Sequence, residues 1–371
     1  MTDQITLAPS RLERLGAWLE SAGLDCAVVF GADPVNHLAG YWRYFGGPSG
    51  LVVGRDGERT LVVALDEAPI ARELSSADEV RPYGERGFGL DLDRLARLLP
   101  VLAGVPALDR ARRVGVASEL PGADERLAQE TSAELVPAAA ELARNRLRKD
   151  PDELERIRAA YDLCWTAQAA IAAAAVAGVS EIELFAEATS AALLEAGMPI
   201  DLVGDLISGP DAADVCGPIR IPGTRAVASG EGIVADIVVR RSGYWGDTAE
   251  THPVGDAEEV SRARERLYEI LRACAARLVP GATGAEVYAE MRRQIAESFP
   301  GGEFPHHGGH GVGLGSFDDP HVIPSDTTPF ETGMVLALEP GVYYRGRYGA
   351  RVEELYLVTD AGGVELRARD G

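Results

Sequence analysis

The sequence predicts an α/β (α+β) protein of two domains: a small α/β domain over residues 1–147 and a larger domain over residues 148–371. Three observations carry that expectation. At 371 residues the chain is longer than one ordinary domain. Its first part alternates helical and strand patterns, the mark of a layered α/β unit. A strong helix-start signal, Arg148-Lys-Asp-Pro-Asp-Glu153, then separates that part from a long second stretch.

In chain order, Leu12, Leu15, Trp18 and Leu19 recur at helical spacing. Cys26 to Phe30 reads as a buried strand. Leu51-Val-Val53 and Leu61-Val-Val63 flank Gly54-Arg-Asp-Gly57, whose turn chemistry predicts a hairpin. Leu92 to Leu102 reads as a helix, Val114-Gly-Val116 as a strand and Glu125 to Ala128 as a helix. At the boundary Asp150 is a good N-cap and Pro151 suits the first helical position. The long helix that follows places Leu154, Ile157, Tyr161 and Cys164 on one face and ends near Gly178.

The second part contains a weak repeat. Gly178-Val-Ser-Glu-Ile-Glu-Leu-Phe-Ala-Glu187 matches Gly281-Ala-Thr-Gly-Ala-Glu-Val-Tyr-Ala-Glu290. Ser180 with Glu183, and Thr283 with Glu286, form capping boxes that each open a helix. Two readings stay open. One is chance recurrence of a common capping signal. The other is a domain of two related halves with a site between them.

Composition removes several function classes. Hydrophobic residues make up 46% and charged residues 25%, as in a soluble globular protein with a sizeable core. Lys and Arg number 36 against 58 Asp and Glu, a net charge of −22. That balance argues against a nucleic-acid partner, which needs basic residues to neutralise phosphates. No apolar run is long enough for a membrane helix, so no membrane partner is expected. The opening MTDQITLAPSRLERL has charges where a signal peptide has its apolar stretch. Cys26, Cys164, Cys216 and Cys274 are scattered without paired spacing. A reduced, cytoplasmic setting is the expectation.

The chemistry concentrates in the second part. The strand Gly232-Ile-Val-Ala-Asp-Ile-Val-Val239 holds one acid, Asp236, among apolar neighbours. Such an acid is costly unless it is paired or metal-bound. Asp247 follows across a turn, Arg241-Ser-Gly-Tyr-Trp-Gly246, and two strands joined this way can bring both carboxylates to one spot. Taken alone, the pair is equally an acid capping a turn. His306-His-Gly-Gly-His310-Gly-Val-Gly-Leu-Gly315 then packs three of the chain's six histidines into a glycine-rich run. Its glycine spacing mimics a dinucleotide loop, but no strand-to-helix context surrounds it. Met334-Val-Leu-Ala-Leu-Glu339-Pro-Gly341 and Ala350-Arg-Val-Glu353-Glu-Leu-Tyr-Leu-Val358 each set an acid beside an apolar strand. Four carboxylates and one imidazole suit Mn, Fe, Co or Zn, as a pair of ions sharing carboxylates.

The order Asp236, Asp247, His310, Glu339 and Glu353 resembles the ligand order of the pita-bread metallopeptidases: methionine aminopeptidase, aminopeptidase P, prolidase and their relative creatinase. The resemblance runs from about Lys149 to the C-terminus. It implies a pita-bread fold with pseudo-twofold halves, in agreement with the repeat. The first part is loosely similar to the N-terminal domain of prolidase, aminopeptidase P and creatinase. Asn36-His-Leu-Ala-Gly40 echoes an N-x-x-YLTG pattern, and Tyr44-Phe-Gly46 a creatinase segment whose next residue, an arginine, is Gly47 here.

By that resemblance Asp236 chelates one divalent ion, His310 and Glu339 the other, and Asp247 and Glu353 bridge both. Two such ions lower the pKa of a bridging water and polarise a scissile carbonyl. Glu339 and His310 are the catalytic candidates, Glu339 as proton shuttle. The resemblance also implies a homodimer in which the N-terminal domain of one subunit reaches over its neighbour's pocket, with Trp42, Arg43 and Tyr44 as lid residues.

The pattern breaks at two family histidines that contact substrate. Aligned here, they are Cys216 and Phe317, and a family arginine has become Glu250. His306 and His321 are candidates to replace a missing imidazole, and Arg351 is a further candidate for holding substrate. Three functions follow. The first is a metal-dependent hydrolase of the Xaa-Pro dipeptidase or aminopeptidase kind, acting on short peptides. The second is a creatinase-like hydrolase or lyase acting on a small amino-acid-derived molecule. The third, a non-catalytic binding module, is disfavoured by the complete ligand set.

Overall fold

A computed structural model describes residues 7–85, 93–214 and 221–367. It divides into two compact units, Met1–Arg146 with Asp150–Asp152, and Leu147–Lys149 with Glu153–Gly371.

The first unit runs α1 (Ser10–Ser21), β1 (Cys26–Phe30), α2 (Ala32–Ala39), β2 (Gly50–Gly54), β3 (Arg59–Ala64), α3 (Ala68–Leu74), β4 (Glu79–Tyr83), α4 (Arg94–Ala103), α5 (Pro106–Asp109), β5 (Arg113–Ser118), α6 (Ala123–Glu130), β6 (Glu134–Pro137) and α7 (Ala139–Leu147). Its strands form one mixed sheet in the order β4-β3-β2-β1-β5-β6. β1 is parallel to β5 and antiparallel to β2. Successive β1 residues point to opposite faces. Ala27 and Val29 pack with Leu15, Leu19 and Leu38, while Cys26, Val28 and Phe30 pack with Leu98, Leu102 and Leu127. Burial on both faces is why the strand reads as an unbroken apolar run. β2 and β3 form the expected hairpin, closed by the Gly57 amide donating to the Gly54 carbonyl at 3.0 Å. The helix expected from Leu92 is α4; Leu92 itself lies outside the described residues. Asp93 caps it by accepting from the Ala96 amide at 3.1 Å. The elements α2, α3, β4, α5, β6 and α7 were not among those expected.

Asp150 also departs from its simple capping role. Its carboxylate accepts from Ser10 Oγ at 2.6 Å and from Arg11 Nε at 3.0 Å. Arg11 is fully buried and further reaches Asp152 and the His37 carbonyl. A buried guanidinium demands such partners, so these acids serve α1 as much as the helix they begin.

The second unit runs α8 (Pro151–Ala174), α9 (Glu181–Ala196), β7 (Asp201–Ser208), β8 (Gly232–Arg241), β9 (Tyr244–Pro253), α10 (Glu258–Ala275), α11 (Gly284–Ser298), β10 (Gly309–Gly311), β11 (Asp318–His321), β12 (Val335–Leu338), β13 (Gly341–Tyr344), β14 (Tyr348–Arg351), β15 (Glu354–Thr359) and β16 (Gly362–Glu365). α8 ends at Ala174, short of the expected Gly178, with Ile157, Tyr161 and Cys164 buried. β7-β8-β9 form one sheet, β11-β10-β12-β15-β16 another, and β13-β14 a two-stranded pair.

The repeat is a structural one. α9 and α11 both open on complete capping boxes, at Ser180 and Thr283. Each cap also makes an antiparallel bridge, Ser180 to Ala226 and Thr283 to Pro329. Both members of the two bridges are offset by the same 103 residues. Shared hydrogen bonding as well as shared sequence excludes chance recurrence. In the first half Ile233, Ala235, Ile237 and Val239 of β8 pack with Leu163, Ile171, Leu184 and Ala188 from α8 and α9. In the second, Leu336 and Leu338 of β12 pack with Leu267, Ile270, Val287 and Met291 from α10 and α11.

Candidate metal centre

β8 and β9 are joined by the two-residue turn Ser242-Gly243, with φ of 50° and 86°. Positive φ at both positions gives the turn that matches the twist of a hairpin. It fixes the register: Asp236 lies opposite Ala249, and Val238 opposite Asp247. Cross-strand partners share a face, so both acids project from one side of the hairpin. Ile233, Ala235 and Ile237 occupy the other side, against the helices. Their partners His252, Glu250 and Thr248 share that helix-facing back.

His310 sits in β10, between β11 and β12. The glycines on either side of it are required by these neighbours. A Cβ on Gly309 (φ 146°) would come within 2.0 Å of the Ala337 carbonyl, and one on Gly311 within 2.1 Å of the Asp319 carbonyl. The Gly-His-Gly run is thus a strand squeezed from both edges, with His310 as its one side chain.

Glu339 follows β12, its amide donating to the Gly308 carbonyl at 3.0 Å. Glu353 lies between β14 and β15, its amide donating to the Ala249 carbonyl of β9 at 2.8 Å. Thr251 ties the same strands together. Its hydroxyl donates to the Arg351 carbonyl at 2.7 Å and accepts from the Arg351 amide at 2.9 Å.

These connections bring Asp247, His310 and Glu353 together, with one donor atom from each within 4.8 Å of the others, all buried. Glu339 Oε1 is 3.7 Å from His310 Nε2 and 2.9 Å from His307 Nδ1. Asp236 shares the face of Asp247 and meets the Arg351 guanidinium at 2.7 Å. Arg351 also approaches Asp205, at 3.8 Å.

Burial, reinforced by the neighbouring acids, pushes the carboxyls of Asp247 and Glu353 well above their usual range. Burial also raises Asp236, with Arg351 opposing it. Glu339 goes the other way. Burial would raise it, but His307, His306 and His310 outweigh that and hold its carboxyl at about 2. Burial lowers His310, leaving it neutral and able to act as a ligand. One oxygen of Asp247 and one of Glu353 are buried without any hydrogen-bond partner. Orphaned, mutually repelling carboxylates beside a neutral imidazole are a donor set short of positive charge, and divalent metal ions fit it.

The remaining candidates fall into distinct environments. Cys216 lies outside the described residues. Phe317 is 54% exposed and its ring packs on His310 at 4.5 Å and His321 at 4.6 Å. His306 is partly buried, its side chain 12% exposed. Its Nδ1 meets the His307 carbonyl at 2.7 Å, and its Nε2 the Tyr343 hydroxyl at 2.9 Å. His321 is the β-partner of His310 and lies 3.3 Å from Asp319. Glu250 is on the back of β9. Arg264 holds both its oxygens, at 2.7 and 2.8 Å, and Tyr268 donates at 2.7 Å.

Three residues near the acids escaped the sequence reading. Asp205 is, like Asp236, an acid in a strand of apolar residues, and that signal was available. Tyr343 carried none. His307 stood beside His306, and no spacing rule tells which of two adjacent rings turns inward.

An acid-rich centre assembled from two similar half-domains is a metallohydrolase architecture. The chain belongs to metallopeptidase family M24, whose model matches residues 155–360, more than half of it. Residues 11–148 match the creatinase/prolidase N-terminal domain. The chain is similar to the probable dipeptidase PepE of Mycobacterium tuberculosis, 30% identical over 227 residues. That match takes in 61% of this chain and 60% of that protein, less than two thirds of its length. Among solved structures, the prolidase of Pyrococcus horikoshii superposes with a TM-score of 0.81 at 22% identity, covering 97% of this chain and 99% of that one. Dipeptidase PepE of Mycobacterium ulcerans superposes with a TM-score of 0.77 at 27% identity, covering 97% and 95%. The fold is therefore the pita-bread fold preceded by a creatinase-type N-terminal domain.

Proposed function

We propose that this chain is a metal-dependent hydrolase that cleaves the amide bond of Xaa-Pro dipeptides or short peptides. Asp236, Asp247, His310, Glu339 and Glu353 would hold two divalent ions, Mn, Fe, Co or Zn. The observation that carries the reading is the convergence of Asp247, His310 and Glu353 within 4.8 Å, with buried oxygens left unpartnered. Divalent ions bound there supply Lewis acidity for a substrate carbonyl and acidify a water toward neutral pH. The chain's own residues do the rest. Glu339, with Oε1 2.9 Å from His307 Nδ1, accepts a proton from the attacking water and passes it to the leaving amine. His310, neutral, donates a lone pair from Nε2. Arg351 brings a guanidinium to Asp236 and Asp205.

A second reading has one observation in its favour. Phe317 presents a phenyl ring against His310, where a hydrogen-bonding side chain would serve a peptide. A creatinase-like enzyme acting on a small amino-acid-derived molecule would tolerate that wall. Elemental analysis of the purified protein, paired with an Xaa-Pro dipeptide panel, separates the readings. About two metals per chain with cleavage supports the peptidase. Metal without cleavage of any dipeptide overturns it and favours the small-molecule enzyme.

A further inference from the structure

We propose that His307 is the imidazole that contacts the substrate, taking up a role that the phenyl ring at position 317 cannot fill. The inference rests on the hydrolase reading above. Four imidazoles gather beside the acids, and three are committed. His310 is 5% exposed and its Nε2 faces Asp247, Glu339 and Glu353 at 3.7 to 3.9 Å. His306 has both ring nitrogens engaged, by the His307 carbonyl and the Tyr343 hydroxyl. His321 leans on Phe317 and pairs with Asp319.

His307 is different. Its Nδ1 is sealed 2.9 Å from Glu339 Oε1. Its Nε2 hydrogen-bonds to none of the described residues, and its side chain, at 30% exposure, is the most open of the four. With Nδ1 buried, the accessible part of the ring is the far edge that carries Nε2. Phe317 stands edge-on to this ring at 5.0 Å and offers only apolar contact. A peptide that sets its scissile amide beside Glu339 thus has the open edge of His307 as a polar neighbour and Phe317 as an apolar one. The close approach to Glu339, at 2.9 Å, restrains the ring. Nε2 then makes the hydrogen bond to a polar group flanking the scissile bond.

The test compares wild type, His307→Ala, His307→Gln and the double variant His307→Ala/Phe317→His, each loaded with Mn²⁺. Three quantities are read: metal per chain, kcat/KM for Ala-Pro, and Kd for an uncleavable reduced-amide Ala-Pro analogue. His307→Ala is expected to keep the wild-type metal content and lose about 10- to 100-fold in kcat/KM, the scale of a lost positioning contact. Its analogue Kd weakens about tenfold, the scale of one hydrogen bond. His307→Gln, which can place an amide near the Nε2 position, recovers part of both. The double variant recovers more, because it returns an imidazole to position 317; a purely structural His307 would give no such rescue. Wild-type kcat/KM and Kd in His307→Ala overturn the proposal. So does loss of metal from His307→Ala and His307→Gln, which would make His307 a ligand. A wild type that binds the analogue but cleaves nothing refutes the hydrolase reading alone, and the analogue Kd values still decide His307. A wild type that does neither overturns both.

Discussion

The two faces of β9 carry buried polar residues under opposite conditions. On the front, Asp247 keeps an oxygen without a partner and lies near Glu353 and His310. On the back, Glu250 is just as buried, yet Arg264, Tyr268 and the Thr251 amide satisfy it. Its neighbour His252 shares a hydrogen bond with Gln168 at 2.9 Å. The back even lines a hollow of about 340 Å³ with Trp165, Gln168, Glu250 and His252. Neither burial nor a hollow therefore marks the site. What distinguishes the candidate centre is its buried carboxylate oxygens left without hydrogen-bond partners.

The sharpest way to break this comparison is at Asp247. Asp247→Asn should lower metal content and cut the activity of the loaded enzyme by on the order of 10³-fold. The same change should raise the melting temperature of the metal-free protein at pH 8, since it deletes a repelled buried charge. A metal-free variant that melts below wild type would show that the front is held together as the back is.

Glu250→Ala should do the reverse. It strands Arg264 and Tyr268 and should cost about 3 kcal/mol by urea denaturation, the low end for breaking a buried pair because Arg264 is partly exposed. Metal per chain should stay at the wild-type value. Loss of metal without loss of stability would place Glu250 in the site.

Acid should also act on the two faces with opposite signs. Burial lowers His252 to about 4, below its unfolded value, so the unfolded chain binds the proton first. The stability this gives is full above about pH 6.5 and is lost as pH falls toward 4, by about 3 kcal/mol. Asp247 is raised, so the folded state binds the proton first and gains stability as pH falls toward the ordinary carboxylate range. In metal-free protein, then, wild type should lose ground to His252→Gln between pH 7 and 4. Over the same interval it should gain ground on Asp247→Asn. Urea midpoints at each pH would reveal the two trends, and parallel trends would contradict the contrast.

The smallest expected effect is at Thr251, whose hydroxyl fastens β9 to Arg351. Thr251→Val should cost about 1–2 kcal/mol for the two lost hydrogen bonds. It should weaken metal binding only modestly, as read by competition with a chelator.

Much of this was legible in the chain. The apolar runs at Cys26–Phe30 and Gly232–Val239 gave strands, because a strand buried on both faces or bearing one acid has few alternatives. The capping boxes at Ser180 and Thr283 gave helix starts, because the signal is local and chemical. The order of acids and His310 gave the family resemblance. By contrast α2 and β6 are too short for periodicity to register. Asp150 read as a cap because nothing local announced Arg11, 139 residues away.

The sequence by itself thus determined which residues were expensive to bury: Asp236, Asp247, Glu339, Glu353 and the imidazoles of one glycine-rich run. Local chemistry sets that expense, so it can be read one strand at a time. Only the tertiary structure decided which of them met partners. It gave Glu250 an arginine and a tyrosine, tied off His306, left Asp247 and Glu353 with orphaned oxygens, and set His307 between Glu339 and Phe317. Those outcomes depend on strand register and on contacts between residues distant in the chain, where a shift of one position would exchange the two faces of β9.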